Sequence, residues 1–151
     1  MPTNVQNLQV MRATNGFVVQ RAAAALPSSV IGTIFNITGG RVLLRSLTGM
    51  VSTVLSGTNS TSVGLTPTNT GTSAPTALCS AGIIPTAAGS PLTALFGGAL
   101  LVTVTGGLIA SAPWHAVPGA ITITPASTTT GTVTWDLVYV PIDPGAVVTA
   151  A

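Results

Sequence analysis

GTVTWDLVYVPIDPGAVVTAA, residues 131–151, is the stretch on which the fold turns. Side chains along an extended strand alternate between its two faces. Trp135, Leu137 and Tyr139 therefore share one face here, and Asp136, Val138 and Val140 the other. Three large apolar side chains at a period of two predict a strand with one face in a core or interface. Pro141 and Asp143-Pro144-Gly145 then interrupt it. That triplet is turn chemistry, because Pro presets φ and Gly is free to adopt a left-handed conformation.

The rest of the chain repeats this theme. GFVVQRA, GTIFNIT, RVLLRSLTGMVSTVLS, TSVGLTP, TALCS, PLTALF, ALLVTVT and AITITPA are short β-branched runs, separated by Gly, Pro, Asn and Ser. No run carries an apolar stripe at helical spacing with charges opposite, and the one short helix expected is QRAAAALP, ended by Pro27. NITGGRVLL reads as a hairpin around Gly39-Gly40, since Gly supplies the positive φ of tight hairpin turns. RVLLRSLTGMVSTVLS is too long to run straight in a small domain, so Gly49 is expected to mark a bend or bulge where the chain changes face. SGTNSTSVGLTPTNTGTSAPTALC reads as an edge strand and a long loop, with Pro67 and Pro75 blunting the edge. The expected fold is all-β, a jelly-roll-like or Greek-key β-sandwich or barrel with an extended N-terminal arm. Residues 1–30 form the arm or a leading strand, and residues 31–151 the sandwich domain.

A chain of 151 residues is enough for one domain, which at this size buries roughly 70% of its unfolded surface. Charged residues are 4% of it, against about 25% in ordinary globular proteins. Lys and Glu are missing altogether; the charges are Arg12, Arg21, Arg41, Arg45, Asp136 and Asp143. An isoelectric point near 9.5 therefore implies no basic patch, and nucleic-acid binding, which needs clustered cations against phosphates, is not expected. Solubility leans on surface charge, so a chain this neutral points to an assembly in which much of the surface is covered. Mean hydropathy is +0.68, yet the most apolar window, residues 92–112, holds two Gly-Gly pairs and alternating LVTVT without flanking cations. Strand-turn-strand fits it better than a membrane span. The N-terminus lacks the basic segment and continuous apolar run of a secretory signal.

Catalytic chemistry has little to work with. Asp136 and Asp143 lie on opposite faces of an extended strand, roughly 23 Å apart at about 3.3 Å per residue, whereas paired glycosidase carboxylates stand about 5–9.5 Å apart. They are better read as partners for arginine, within the chain or across a subunit contact, and Asp143 as a turn residue. His115 is the only histidine, set between Trp114 and prolines, and Cys79 the only cysteine, read as a small buried apolar residue. Neither a nucleophile elbow, a phosphate loop nor a metal-ligand cluster is present. The expectation is a non-enzyme with no catalytic residues, cofactor or metal.

One resemblance adds to this. GTIFNITGGRVLLRSLTGMVST and ITITPASTTTGTVTWDLVYVPIDPGAVVTAA are similar to segments of small tailed-phage structural proteins, which pair an early (I/V)TGG-V-(I/L) motif with a late TG-V-W-L-Y-P(L/I)-D-GA-V-A strand. The matching positions are Ile37 to Gly40, Val42 and Leu44, then Thr130, Gly131, Val133, Trp135, Leu137, Tyr139, Pro141 to Asp143, Gly145 and Ala146. Residues 56–115 match only in being loop-rich and uncharged. The resemblance implies a capsid decoration (cement) protein: a small β-rich protein on the outer capsid surface of the virion that clamps neighbouring copies of the major capsid protein. It implies a homo-oligomer, a trimer being favoured. Arg12 and Arg21 on the arm, with Arg41 and Arg45 beside the Gly-Gly turn, are then the candidate contacts to capsid-protein carboxylates; the alternative is that they only solubilise the chain. Other virion parts (tail, connector or head fibre) remain open, as does a secreted carbohydrate-binding module, whose mark would be exposed aromatics around Trp114.

Overall fold

The strand read in residues 131–151 runs through the middle of a sheet and then turns into a second one. The computed structural model describes residues 14–57, 59–68, 76–94, 96, 101–103 and 113–151. They form β1 (Phe17–Ala25), β2 (Gly32–Thr38), β3 (Val42–Thr53), β4 (Asn59–Pro67), β5 (Thr76–Ile84), β6 (Pro91–Ala94), β7 (Leu101–Thr103), β8 (Trp114–Ala116), β9 (Gly119–Pro125), β10 (Thr132–Pro141) and β11 (Val147–Ala150). One sheet has the order β1-β10-β3-β6-β7, with β8 also on β3; the other is β11-β2-β9-β4-β5. All pairings are antiparallel, and the two sheets pack as a sandwich.

Three of these pairings follow one another along both chains. β2 pairs β11 from Phe35–Ala150 to Thr38–Val147, β3 pairs β10 from Val42–Pro141 to Thr53–Thr132, and β4 pairs β9 from Thr61–Pro125 to Pro67–Gly119. Together they make one long two-stranded ribbon. It folds over between Thr38 and Val42, and again after Thr53, passing from one sheet to the other each time. A ribbon wound between two sheets is how jelly-roll-like sandwiches shelter most of their strands from becoming edges.

Alternation fills the space between the sheets. Trp135, Leu137, Tyr139 and Val133 of β10 join Leu44, Leu47 and Val51 of β3 against Phe35, Ile37, Ile121, Ile123, Val63 and Leu65 of the opposite sheet. Full burial of such a side chain contributes about 1.5–3 kcal/mol each. The register between β2 and β9 slips so that Ile34 is an extra residue, and the bulge lets Ile34 and Phe35 both face the core.

Several expectations are corrected. NITGGRVLL is not a hairpin: β2 pairs β11 and β9, and β3 pairs β10, β6 and β8. Gly39 is required by the other corner instead, because a Cβ there would stand 2.1 Å from the Gly145 carbonyl oxygen. Gly49 is no crossing point either. β3 stays in one sheet for 12 residues, bulged at Arg45 and Ser52, and Gly49 makes room for Trp135, whose Cε3 would lie 2.8 Å from a Cβ. QRAAAALP is strand rather than helix up to Ala25; pairing with β10 overrides the helix preference of alanine. The segment read as an arm or leading strand is thus, over Phe17–Ala25, the leading strand. β4 lies inside its sheet between β9 and β5, so the edge belongs to β5; most of the expected loop, with Pro75, falls outside the described residues. β8 and β11, of three and four residues, are strands that the sequence reading did not separate. No helix among the described residues is long and apolar enough to cross a membrane.

Candidate functional site

Two places hold four of the five charged side chains among the described residues. At the first fold of the ribbon, the Gly39-Gly40-Arg41 crossing lies against the crossing between β10 and β11. Asp143-Pro144-Gly145-Ala146 is a tight turn there, with Ala146 N–H donating to the Asp143 carbonyl at 3.1 Å. Gly145 has φ +84°, and Pro precedes it, the signature of a type II turn. Ile142 N–H donates to the Arg41 carbonyl at 3.0 Å, joining the two crossings. The Asp143 carboxylate completes the join: Oδ2 accepts from Arg41 N–H at 2.8 Å and from Nε at 3.0 Å, while Oδ1 accepts from Nη2 at 2.8 Å.

This bidentate fork is the expected aspartate–arginine contact, made within the chain. The Arg41 side chain, and then its backbone N–H, hold the Asp143 carboxyl down from 3.8 to about 2. The same pair raises the Arg41 guanidinium above its ordinary value. Both groups are open to water, where an ion pair fixes geometry more than it stabilises. Gly39 and Gly40, and Ile142, Asp143, Gly145 and Ala146, meet at this one corner.

The second place is the outward face of the β1-β10-β3 sheet. Val18, Val138 and Ser46 form one cross-strand row, and Gln20, Asp136 and Thr48 the next. Val140 and Leu43 lie on one side of these rows, Thr134 and Met50 on the other. Val18 is 68% exposed and Met50 49%. Asp136 Oδ1 accepts from Gln20 Nε2 at 2.9 Å, a neutral partner. Arg45, exposed at the bulge, donates through Nη1 to the Thr14 carbonyl, also neutral.

The four candidate arginines therefore do not form a patch. Arg41 is at the corner, Arg45 on the outward face, and Arg21 at the open side of the sandwich, where its Nε donates to the Ala151 carbonyl at 3.1 Å. Arg12 lies outside the described residues. Asp136 and Asp143 serve different neighbours, the first from β10 and the second from the turn that follows it. Trp114, the candidate aromatic of a sugar-binding module, is half-buried and packs against the core. His115 is exposed beside Leu43. Cys79 is buried opposite Val63, and burial pushes its thiol up, which disfavours the reactive thiolate. Among the described residues no three His, Cys, Asp or Glu side chains come together as a metal site would need.

Sequence reasoning missed two polar anchors. Gln20 was not foreseen as the partner of Asp136, although the alternation of β1 places it on that face. Asn59, first residue of a glycosylation-type triplet, is buried: its Oδ1 accepts from Ala126 N–H at 3.0 Å and Ser127 N–H at 3.3 Å, and Nδ2 donates to the Ser127 carbonyl at 2.5 Å. It pins the loop between β9 and β10, and nothing short of its location could have separated that role from a surface one. No protein family, curated protein or solved structure matches the chain.

Proposed function

We propose that the chain is a structural protein of a tailed-phage virion, a capsid decoration protein that binds the major capsid protein on the outer surface of the shell as a homo-oligomer. The observation that carries this reading is how the sandwich uses its few charges. Arg21, Arg41 and Asp143 join the chain to itself, and, Arg45 aside, the exposed positions of the described strands are mostly Val, Ala, Thr and Ser. Such a surface gives contacts made of apolar burial and main-chain pairing, little weakened by salt and multiplied over symmetric copies. The internal use of Arg21 and Arg41 takes those two out of the candidate contacts to capsid carboxylates.

Quantitative mass spectrometry of density-purified particles tests it. Hundreds of copies per particle, in simple ratio to the capsid protein, support a shell-wide cement. On the order of a dozen copies would move the protein to a tail, connector or fibre position, because those occupy unique axes. Complete absence from particles contradicts the reading.

A further inference from the structure

We infer that the outward face of the β1-β10-β3 sheet is a self-complementary interface, at which a second copy of this chain docks face to face about a two-fold axis and pairs Arg45 of each copy with Asp136 of the other. The inference does not rest on the decoration reading. It starts from the contrast between the two carboxylates. Asp143 has its own arginine, whereas Asp136 has only the Gln20 amide, and Arg45 only the Thr14 carbonyl. Among the described residues the one ion pair is Arg41–Asp143. Opposite charges therefore stand on one face, each held by a neutral group that can release it.

Their placement fits a two-fold axis. Leu44 and Leu47 face the core, and the register shift opposite Val138 leaves Arg45 and Ser46 together on the outward side. Thr14 precedes β1, beyond β10 from β3, so the Arg45 side chain lies across β10 on that face. Asp136 is two positions from Val138 along β10, roughly 7 Å. An axis in the plane of the contact, passing between the two charges, brings each over the opposite charge of the second copy. In such an isologous contact residue i meets j and j meets i, so both pairs form at once. Val18, Val138, Val140, Leu43 and Met50 surround the charges, and no further formal charge is present on these rows. The apolar surround excludes water from the pairs, and the charges set the register. A ring of three would need two different surfaces, whereas here both charges share one.

Sedimentation velocity of the full chain, with Asp136→Arg, Arg45→Asp and the double exchange, tests this. The wild type should be a dimer with Kd in the micromolar range or tighter. Each single reversal opposes like charges twice across the axis and should raise Kd at least about a hundredfold, and the double exchange should restore the dimer. Circular dichroism checks that each variant is folded. Should a reversal disturb the Thr14 or Gln20 contact, Asp136→Asn and Arg45→Gln give the same test, with a loss of about tenfold. A monomeric wild type at about 100 μM, a trimer, any oligomer indifferent to the single changes, or a folded double exchange that stays monomeric would each overturn the proposal.

Discussion

The ribbon corner and the outward face use the same two side-chain types in opposite ways. At the corner, aspartate and arginine meet within one chain, from positions 102 residues apart, and their join holds two crossings together. On the face, an aspartate and an arginine lie near each other on one surface without pairing. The corner also carries close backbone approaches that admit only glycine, while the face carries exposed Val18 and Met50. The first is organised for folding; on the second, we propose, the charges serve a second copy of the chain.

The largest effect should come from beneath the face. Trp135→Ala empties the space its buried ring fills over Gly49 and should cost about 3–5 kcal/mol of unfolding free energy in urea. It sets the scale for the rest. Gly39→Ala strikes the corner alone. The residue has φ +75°, and a Cβ would meet the Gly145 backbone, which cannot step aside as a side chain would. A loss of about 3 kcal/mol is expected by the same measurement. A loss near zero would mean that the two crossings are not in contact.

Smaller changes sharpen the contrast. Asp143→Asn should lower the melting temperature at neutral pH by less than Gly39→Ala. The folded carboxyl titrates below the unfolded one, so its contribution is fully present above 3.8 and lost as pH falls through about 2. Melts of wild type and variant should therefore converge across that window. Asp136→Asn should leave the stability of the monomer within about 0.5 kcal/mol, because it alters one exposed hydrogen bond. Cys79 should resist thiol reagents in the native protein and react on unfolding, because the residue is buried in the core.

Much of the sandwich was legible because alternation is a local signal. The faces of residues 132–140 followed from a period of two, and their burial matches it residue by residue. What could not be read was which strand pairs with which. Gly39-Gly40 suits a hairpin as well as a crossing between sheets, and only the distant Gly145 decides between them. SVGLT looked like an edge because its hydroxyls and glycine are polar or small, yet β9 and β5 flank it on both sides. Ala22 to Ala25 were read by helix propensity, a weak preference that a neighbouring strand overrules. The site was half legible: an aspartate–arginine contact was expected from the charge inventory, but the choice of Arg41 for Asp143 depends on two turns meeting. That Asp136 pairs with no arginine among the described residues is visible only once those arginines are placed.

The central claim is that one charge pair serves the fold and the other serves association. Melting temperature measured against protein concentration, for Asp143→Asn beside Asp136→Asn, tests it most directly, because a dimer makes the melting temperature concentration-dependent. Asp143→Asn should melt lower at every concentration and keep the wild-type slope. Asp136→Asn should match the wild type in dilute solution and lose the slope. Two variants that shift the midpoint alike and leave the slope alike would contradict the division.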